Sequence, residues 1–525
     1  MSVPPLLTAY IFFEQLPEMN TEPYQNWLKT FTDNEITIKI LTTNDQVFLS
    51  TSKDPHVYLT VGQKWNNFPW LSQQPYTETL KWVHVQQFQE ITPQMVYRIH
   101  LHATDPMPTT KVVQPTLFAQ KEPLISVFTA SYRSGEMIKR PLMSLLQQTY
   151  KHWEWVIVDD SGDDDQTYQQ TLAPLINKDP RIYVYRQTER SGYIGTVKRA
   201  AAGLCTGEIL VEVDHDDNLT PDCLEKIVKA FQNHPECGFA CGYSSELYED
   251  YQPHWYGLDA GFGYLVYWRQ QIKWLKRWEN VARTSILNSY TIRHLVGLPN
   301  HPRAWTRDCY YLVGGHRPGL SIADDYDLMV RTFLSTNFVV IPHLLYLQYR
   351  NHSGNQTFQR NHQIQIMCQM IYNYYAPRIQ QRVTDLGLPI LDNHVDRIWT
   401  HPPSPYWQTK QVIDYDHDKL SLIVPIMEDN QETKEQIQTL ITKGHHEHWN
   451  NLELIIVGQL DKIDLETTSQ TIPEGKIRWW SLAGSLEDYL RWGLMIRSGQ
   501  KVEIMWPKDM TQEQKQQKLE QCPTF

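Results

Sequence analysis

Four short apolar runs fix what the middle of this chain can become. Leu124–Thr129 (LISVFT), Trp153–Val158 (WEWVIV), Ile182–Tyr185 and Ile209–Val213 (ILVEV) are apolar along almost their whole length. A strand hidden on both faces reads this way, whereas a strand with one wet face alternates. Between the runs lie stretches at helical spacing: Leu142, Leu145, Leu146 and Tyr150, then Thr196–Leu204. Pro141 marks where the first of these becomes regular. Strands alternating with helices predict βαβ units and a parallel sheet with right-handed crossovers.

Open α/β sheets bind ligands at the carboxyl ends of their strands. The first, second and fourth runs end in Thr129-Ala130-Ser131-Tyr132-Arg133, in Asp159-Asp160 and in Asp214-His215-Asp216-Asp217. Thr220-Pro221 then starts a helix, with proline at the position it tolerates. Carboxylates crowded on so tight a loop repel one another. A hard divalent cation, Mg2+ or Mn2+, with substrate phosphates completing its shell, relieves that repulsion. The turn Ser191–Gly195, with Gly192, lets backbone approach a phosphate closely, and Lys198 and Arg199 follow it as cations. Other carboxylates can grip ribose hydroxyls or the N–H donors of a base. These residues therefore read as a nucleotide site.

The chain has 525 residues, enough for two to four domains. Its net charge of −11, without a lysine/arginine block, argues against nucleic acid as a partner. Seven cysteines without CxxC pairs suit a reducing compartment. No apolar run approaches the roughly 18 residues of a membrane span, and the N-terminus lacks the basic region of a signal peptide. The expectation is a cytoplasmic protein, soluble or peripheral to the inner face of a membrane.

Residues 1–118 read as a small α/β accessory module, with strands at Thr8–Phe13, Ile36–Leu41, Val57–Val61 and Trp82–Val85. Asp105–Gln120, with three prolines, reads as a linker. Residues 119–400 form the central domain, and 412–525 repeat part of it. Leu420–Gln459 parallels Pro123–Asp160, and Lys476–Asp509 parallels Arg181–Asp217, but Gly458-Gln459 and Met505–Asp509 replace the acidic positions. A half-sheet of three or four strands leaves an open edge that proteins cover. The repeat is thus expected to pack on the central domain or on a second copy as a homo-oligomer. Trp449, Trp479, Trp480 and Trp492 are its expected anchors.

The blocks LISVFTASYR, LLQQTYKHWEWVIVDDSGD and SGYIGTVKRAAAGLCTGEILVEVDHDDNLTPD together resemble the inverting, metal-dependent glycosyltransferases of family 2. The resemblance implies a GT-A fold, a Rossmann-like mixed sheet, flanked here by smaller α/β modules. It implies a nucleoside-diphosphate-sugar donor, usually a UDP-sugar, and a hydroxyl acceptor on a glycan, lipid-linked saccharide or protein. Asp160 would meet the base, and Asp214 and Asp216 would form the DxD motif serving ribose and the metal-bridged diphosphate. The block VGGHRPGLSIADDYDLMVRTFL makes Asp325 the catalytic base, with Asp324 where glutamate is more usual. His352 resembles a late histidine that completes the metal shell beside Asp214, Asp216 and Asp217. Trp305 and Arg307, in HPRAWTR, fall with Asp324 where family members contact the acceptor. The stretch Val57–Trp70 resembles a module that precedes such domains.

Other readings stay open on the residues alone. Asp325 can be a helix cap. The chain can be a sugar- or partner-binding shell without catalysis, or a nucleotidyltransferase, which also wants carboxylates and a metal but no lone base. The aromatic stretch Tyr251–Trp278 can line an acceptor groove or simply fill a core.

Overall fold

The computed structural model describes, with short breaks, residues 7–42, 56–62, 81–96, 118–248, 254–255, 266–350, 356–391, 408–459 and 472–522. The linker expected at Asp105–Gln120 lies outside them, Phe118 apart.

The first residues build a parallel sheet of four strands, β1 (Leu7–Phe13), β2 (Ile36–Thr42), β3 (His56–Val61) and β4 (Trp82–Val85), in the order β2-β1-β3-β4. Helix α1 (Glu22–Thr32) lays Tyr24, Trp27 and Phe31 on that sheet. One side chain from far along the chain, Tyr193, joins the same apolar core.

The remaining strands form one mixed sheet. Its first half contains β5 (Ile125–Ser131), β6 (Trp153–Asp159), β7 (Ile182–Arg186) and β8 (Ile209–Glu212), parallel and ordered β8-β5-β6-β7. Short β9 (Asn218–Leu219) follows. Then come β10 (Cys237–Tyr248), β11 (Tyr267–Ile272), β12 (Arg277–Ala282), β13 (Arg303–Thr306) and β14 (Asn337–Arg350). Three of the four apolar runs are wholly or mainly buried, as strands between two layers must be, whereas Ile182–Tyr185 forms the edge strand β7 and exposes Tyr183 and Tyr185. Helices α2 (Lys139–Leu146) and α4 (Cys223–Asn233) cover one face through Leu142, Leu145, Leu224 and Ile227. Helix α3 (Ile194–Gly203) and, later in the chain, α5 (Arg307–Leu312), α6 (Asp324–Ser335) and α7 (Gln356–Asp385) cover the other. Alternate residues of β8 divide between the faces: Ile209, Val211 and Val213 on one, Leu210 on the other. Glu212 shares its face with Leu210.

The last part of the chain repeats the parallel unit. After β15 (Val412–Ile413), strands β16 (Asp416–Ile426), β17 (Leu452–Gly458), β18 (Ile477–Ser481) and β19 (Gly499–Ile504) run in the order β19-β16-β17-β18, the order of β8-β5-β6-β7. Helices α8 (Gln431–His446) and α9 (Leu486–Ile496) make the crossovers, and α10 (Gln512–Glu520) closes the chain. A buried hydrogen-bond pattern is repeated too. Ser126 Oγ donates to Glu154 at 2.5 Å, which also accepts from the Thr206 N–H, while Ser126 accepts from the Gly207 N–H. In the second unit Ser421, Glu453, Ser498 and Gly499 make the same bonds.

The open edge of this unit is covered within the chain. Strand β18 pairs antiparallel with β11, Arg269 opposite Trp479 and Gln270 opposite Arg478. Trp492 donates its Nε1 hydrogen to the Tyr267 carbonyl at 2.7 Å, and Trp480 stacks on Tyr267. Trp480 and Trp492 therefore seat the repeat, whereas Trp449 fills the repeat's own core and Trp479 lies under Arg269. The outer edge, β19, presents exposed Lys501 and Glu503, charges that discourage further pairing. Of the aromatic stretch, Trp268 and Trp278 are buried, Trp255 is exposed, and Tyr256, Phe262 and Tyr264 lie outside the described residues.

Trp492→Ala should cost about 3–5 kcal/mol, because it opens a cavity at this seam and orphans the Tyr267 carbonyl. Urea unfolding of the two proteins measures it, and an unchanged midpoint would remove Trp492 as the anchor.

Candidate active site

Strand direction decides what gathers at the acidic loop. β5, β6 and β8 run together, so Ser131, Asp159 and Asp214 reach one end of the sheet. β13 runs the other way beside β8, with Arg303 opposite Glu212 and Thr306 opposite Ile209. Its first residues, with His301 just before them, therefore stand at that same end, and its last residues at the opposite one. The N-terminus of α6 adds Asp324 and Asp325.

In the loop, Asp214, His215 and Asp216 are half-buried. Asp217 is turned inward. Its Oδ2 accepts from the Tyr346 hydroxyl at 2.8 Å and its Oδ1 from the Tyr349 N–H at 2.8 Å. Burial, with Asp216 and Asp214 beside it, pushes this carboxyl well above the usual range. Tyr346 Oη also accepts from the Asp214 N–H at 3.2 Å, so one hydroxyl holds both ends of the loop. Arg140 donates to the Asp216 carbonyl. Asp216 is raised by burial, which the neighbouring His215 opposes.

Beneath the loop lies a buried charge cluster. Lys198 Nζ is 2.5 Å from Glu212 Oε1 and 3.5 Å from Asp324 Oδ2. Arg303 donates to Asp325 Oδ2 at 3.0 Å and lies 3.9 Å from Glu212. His316 is 3.8 Å from Glu212, with its Nδ1 on the Tyr310 hydroxyl at 2.9 Å. Burial drives the His316 imidazole down to about 3, which keeps it neutral. The two adjacent aspartates part company. Burial pushes Asp324 up to about 6 against the pull of Lys198. For Asp325 burial acts in the same sense, but Arg303 and Lys198 overcome it and hold the group below its ordinary value. Asp325 keeps 24% of its side chain exposed and is oriented by Arg303 and by the N–H of Tyr326. It is an ionised, fixed, reachable carboxylate.

Residues 126–289 match the model of Glycosyl transferase family 2. This chain carries a family 2 glycosyltransferase domain. Chondroitin synthase of Escherichia coli is 26% identical over 42% of this chain and 28% of its own length. The teichuronic acid biosynthesis glycosyltransferase TuaG of Bacillus subtilis, named as putative, is 34% identical over 23% of this chain and 48% of its own. The chain thus spans less than half the length of these curated relatives. The crystal structure of S. aureus TarS 1-349 is 17% identical, covering 50% of this chain and 70% of that one with a TM-score of 0.35.

At the carboxyl ends of β5 and β6, Thr129 donates to the Val213 carbonyl at 2.8 Å and accepts from Trp155 Nε1, clamping the ends of β5 and β8 together. Ser131 Oγ meets Ser134, Ala130 is partly open, and Tyr132 lies under Arg190. Asp159 is fully buried, accepts from Ser161 Oγ, and is raised by burial. Asp160 accepts from the N–H groups of Ser191 and Gly192 and from Ser191 Oγ, so it shapes the glycine turn. Gly192 has φ +70°, and a Cβ on Gly195 would fall 2.1 Å from the Arg317 carbonyl, so neither position tolerates a side chain.

Five expected site residues need correction. Asp324, expected at the acceptor, is 4% exposed and turned inward to Lys198. Lys198 does not face the turn; it is spent on Glu212 and Asp324 inside the cluster. Asp217 is 1% exposed and turned inward, with each oxygen accepting a hydrogen bond from Tyr346 or Tyr349, so it does not face the open side of the loop. Trp305 is fully buried in the core, its Nε1 on Thr332, and Arg307 reaches the Cys205 carbonyl at the far end of β8. An antiparallel β13 points both of the latter away from the site. His352 lies outside the described residues. The residues that sequence reading missed are Glu212, His301, Arg303 and His316. A charged residue inside an otherwise apolar strand was the available signal for Glu212.

Tyr346→Phe should lower stability by about 1–3 kcal/mol, since it strips a donor from buried Asp217 and an acceptor from the loop backbone. Chemical denaturation checks it, and a variant as stable as wild type would mean that the loop does not hang on this hydroxyl.

Proposed function

We propose that this chain is a non-processive, inverting glycosyltransferase. In this reading a divalent ion at the acidic loop assists transfer of a sugar from a nucleoside-diphosphate sugar, a UDP-sugar first among them. The acceptor is a hydroxyl on a glycan, lipid-linked saccharide or protein, and the work is done in the cytoplasm or at the inner face of a membrane. Among the described residues no helix is long and apolar enough to cross one. The observation that carries the reading is Asp325, a half-open carboxylate fixed by Arg303 at the same end of the sheet as Asp214 and Asp216. The polysaccharide-building relatives support a glycan acceptor.

In the reaction the acceptor oxygen attacks the anomeric carbon, the bond from that carbon to the diphosphate breaks, and Asp325 takes the hydroxyl proton. A single displacement inverts the centre and needs one base. Asp160 and the Ser191–Gly192 turn shape the nucleotide pocket, and Asp214 and Asp216 face the diphosphate. A metal bound there would offset charge growing on the leaving phosphate, by several kcal/mol. Asp325 stays ionised because Arg303 holds it, and the same contact aims it.

A panel of UDP-, GDP- and dTDP-sugars with Mn2+ or Mg2+ tests the reading. Release of UDP with transfer supports it; release of pyrophosphate, or sugar binding without turnover, overturns it. Asp325→Asn should cut transfer by about 10²–10⁴-fold with donor affinity unchanged. Equal loss of both would make Asp325 a helix cap. Arg303→Gln removes the cation that keeps Asp325 low, so burial then raises that carboxyl. The acid limb of kcat/KM should move to higher pH, and an unmoved limb would uncouple the two residues.

A further inference from the structure

We infer that Glu212, Asp214 and His301 form the protein side of a divalent-ion site that takes a Mn2+-type ion in preference to Mg2+. The inference deepens the metal-assisted reading above by naming ligands for it. One ligand oxygen or nitrogen from each of the three residues lies within 4.8 Å of the others. His301 Nε2 is 3.6 Å from Glu212 Oε1 and 3.9 Å from Asp214 Oδ2. Bonds of about 2.1 Å to one ion leave ligand atoms roughly 3–4 Å apart.

The histidine supplies the independent argument. His301 is 5% exposed, its Nδ1 has no hydrogen-bond partner, and its Nε2 has only the long contacts to Glu212 and Asp214. Its ring stacks on Tyr346 at 5.0 Å and 22°, which fixes its plane and leaves Nε2 aimed between the two carboxylates. A buried ring nitrogen held only by contacts this long is costly, and ligation through Nε2 relieves that cost. Strand geometry does the rest: Glu212 and Asp214 are two apart on β8 and its extension, hence on one face, and antiparallel β13 delivers His301 to that face. Charge also leaves room. Glu212, Asp214, Asp324 and Asp325 face two fixed cations, Lys198 and Arg303. Lys198 meets Glu212 and Asp324 from helix α3, and its ion-pair contacts among the described residues do not include Asp214. Asp214 is 34% exposed on its side chain, so a donor phosphate can complete the shell from outside. A nitrogen in the set disfavours Mg2+, which prefers oxygens and water.

The test uses the full chain and Mn2+ alone, without donor, so it can fail while transfer survives. Electron spin echo envelope modulation of bound Mn2+ should show a directly coordinated 14N. That coupling should vanish in His301→Gln and persist in His215→Ala and His352→Ala. Mn2+ affinity should fall roughly tenfold or more in His301→Gln, and wild type should bind Mn2+ at least tenfold tighter than Mg2+. No nitrogen coupling in wild type, coupling lost with His215 or His352 instead, or affinity unchanged in His301→Gln would each overturn the inference. The wild-type spectrum decides even where the variant does not fold.

Discussion

A carboxylate in the middle of an apolar strand organises the site. Glu212 sits on β8 between two layers of helices, where an unpaired charge costs several kcal/mol. Its four partners come from three directions: Lys198 from α3, Arg303 and His301 from the start of β13, and His316 from the loop before α6. Lys198 and Arg303 bring the charge that balances Glu212, while His301 and the neutral His316 pack against the same carboxylate. Lys198 then passes the constraint on to Asp324, and Arg303 to Asp325. Net stabilisation need not follow, because a buried ion pair barely recovers its desolvation. Removing one partner is another matter, at about 3–5 kcal/mol. The cluster acts as a registration device for the ends of three elements.

The duplicated unit shows what the fold needs without that device. The Ser–Glu–Gly pattern at the foot of the strands survives in both units. At the other end, register with Phe128 and Ile423 puts Ile504 where Glu212 stands. Counting back from the shared Gly207 and Gly499 puts Leu490, fully buried, where Lys198 stands. An ion pair has thus become an apolar pair, a change that is often neutral or stabilising. The βαβ scaffold therefore does not require the charges. Because β18 is antiparallel to β11, the carboxyl ends of the repeat's strands also point away from the acidic loop.

Much of this was legible in the residues. Apolar runs, helical stripes and turns gave the parallel unit and its repeat, because local periodicity reports burial directly. The acidic loop followed from strand ends. What stayed hidden depended on strand direction. Placing His301, Arg303, Trp305 and Arg307 requires knowing that β13 is antiparallel to β8, and a four-residue strand carries no mark of direction. Reading HPRAWTR with the opposite polarity selects Trp305 and Arg307, the half that faces the core and the far end. Asp217 misled for a related reason: its acceptors are filled by Tyr346 and Tyr349, more than a hundred residues away.

Asp324 and Asp325 show how far environment outweighs residue type. They are neighbours on the first turn of α6, where the helix dipole favours both as anions. Asp324 points inward to Lys198, and burial lifts it to about 6. Asp325 points outward to Arg303 and is depressed. The stability consequences have opposite signs. The unfolded chain loses the Asp324 proton near the ordinary carboxylate value, and the folded chain holds it until about pH 6, so folding loses stability as pH rises through that window. Asp325 contributes stability above its unfolded value and loses it as pH falls through the depressed one. Two adjacent aspartates thereby divide the work, one packed into the scaffold and the other left charged and facing the cleft.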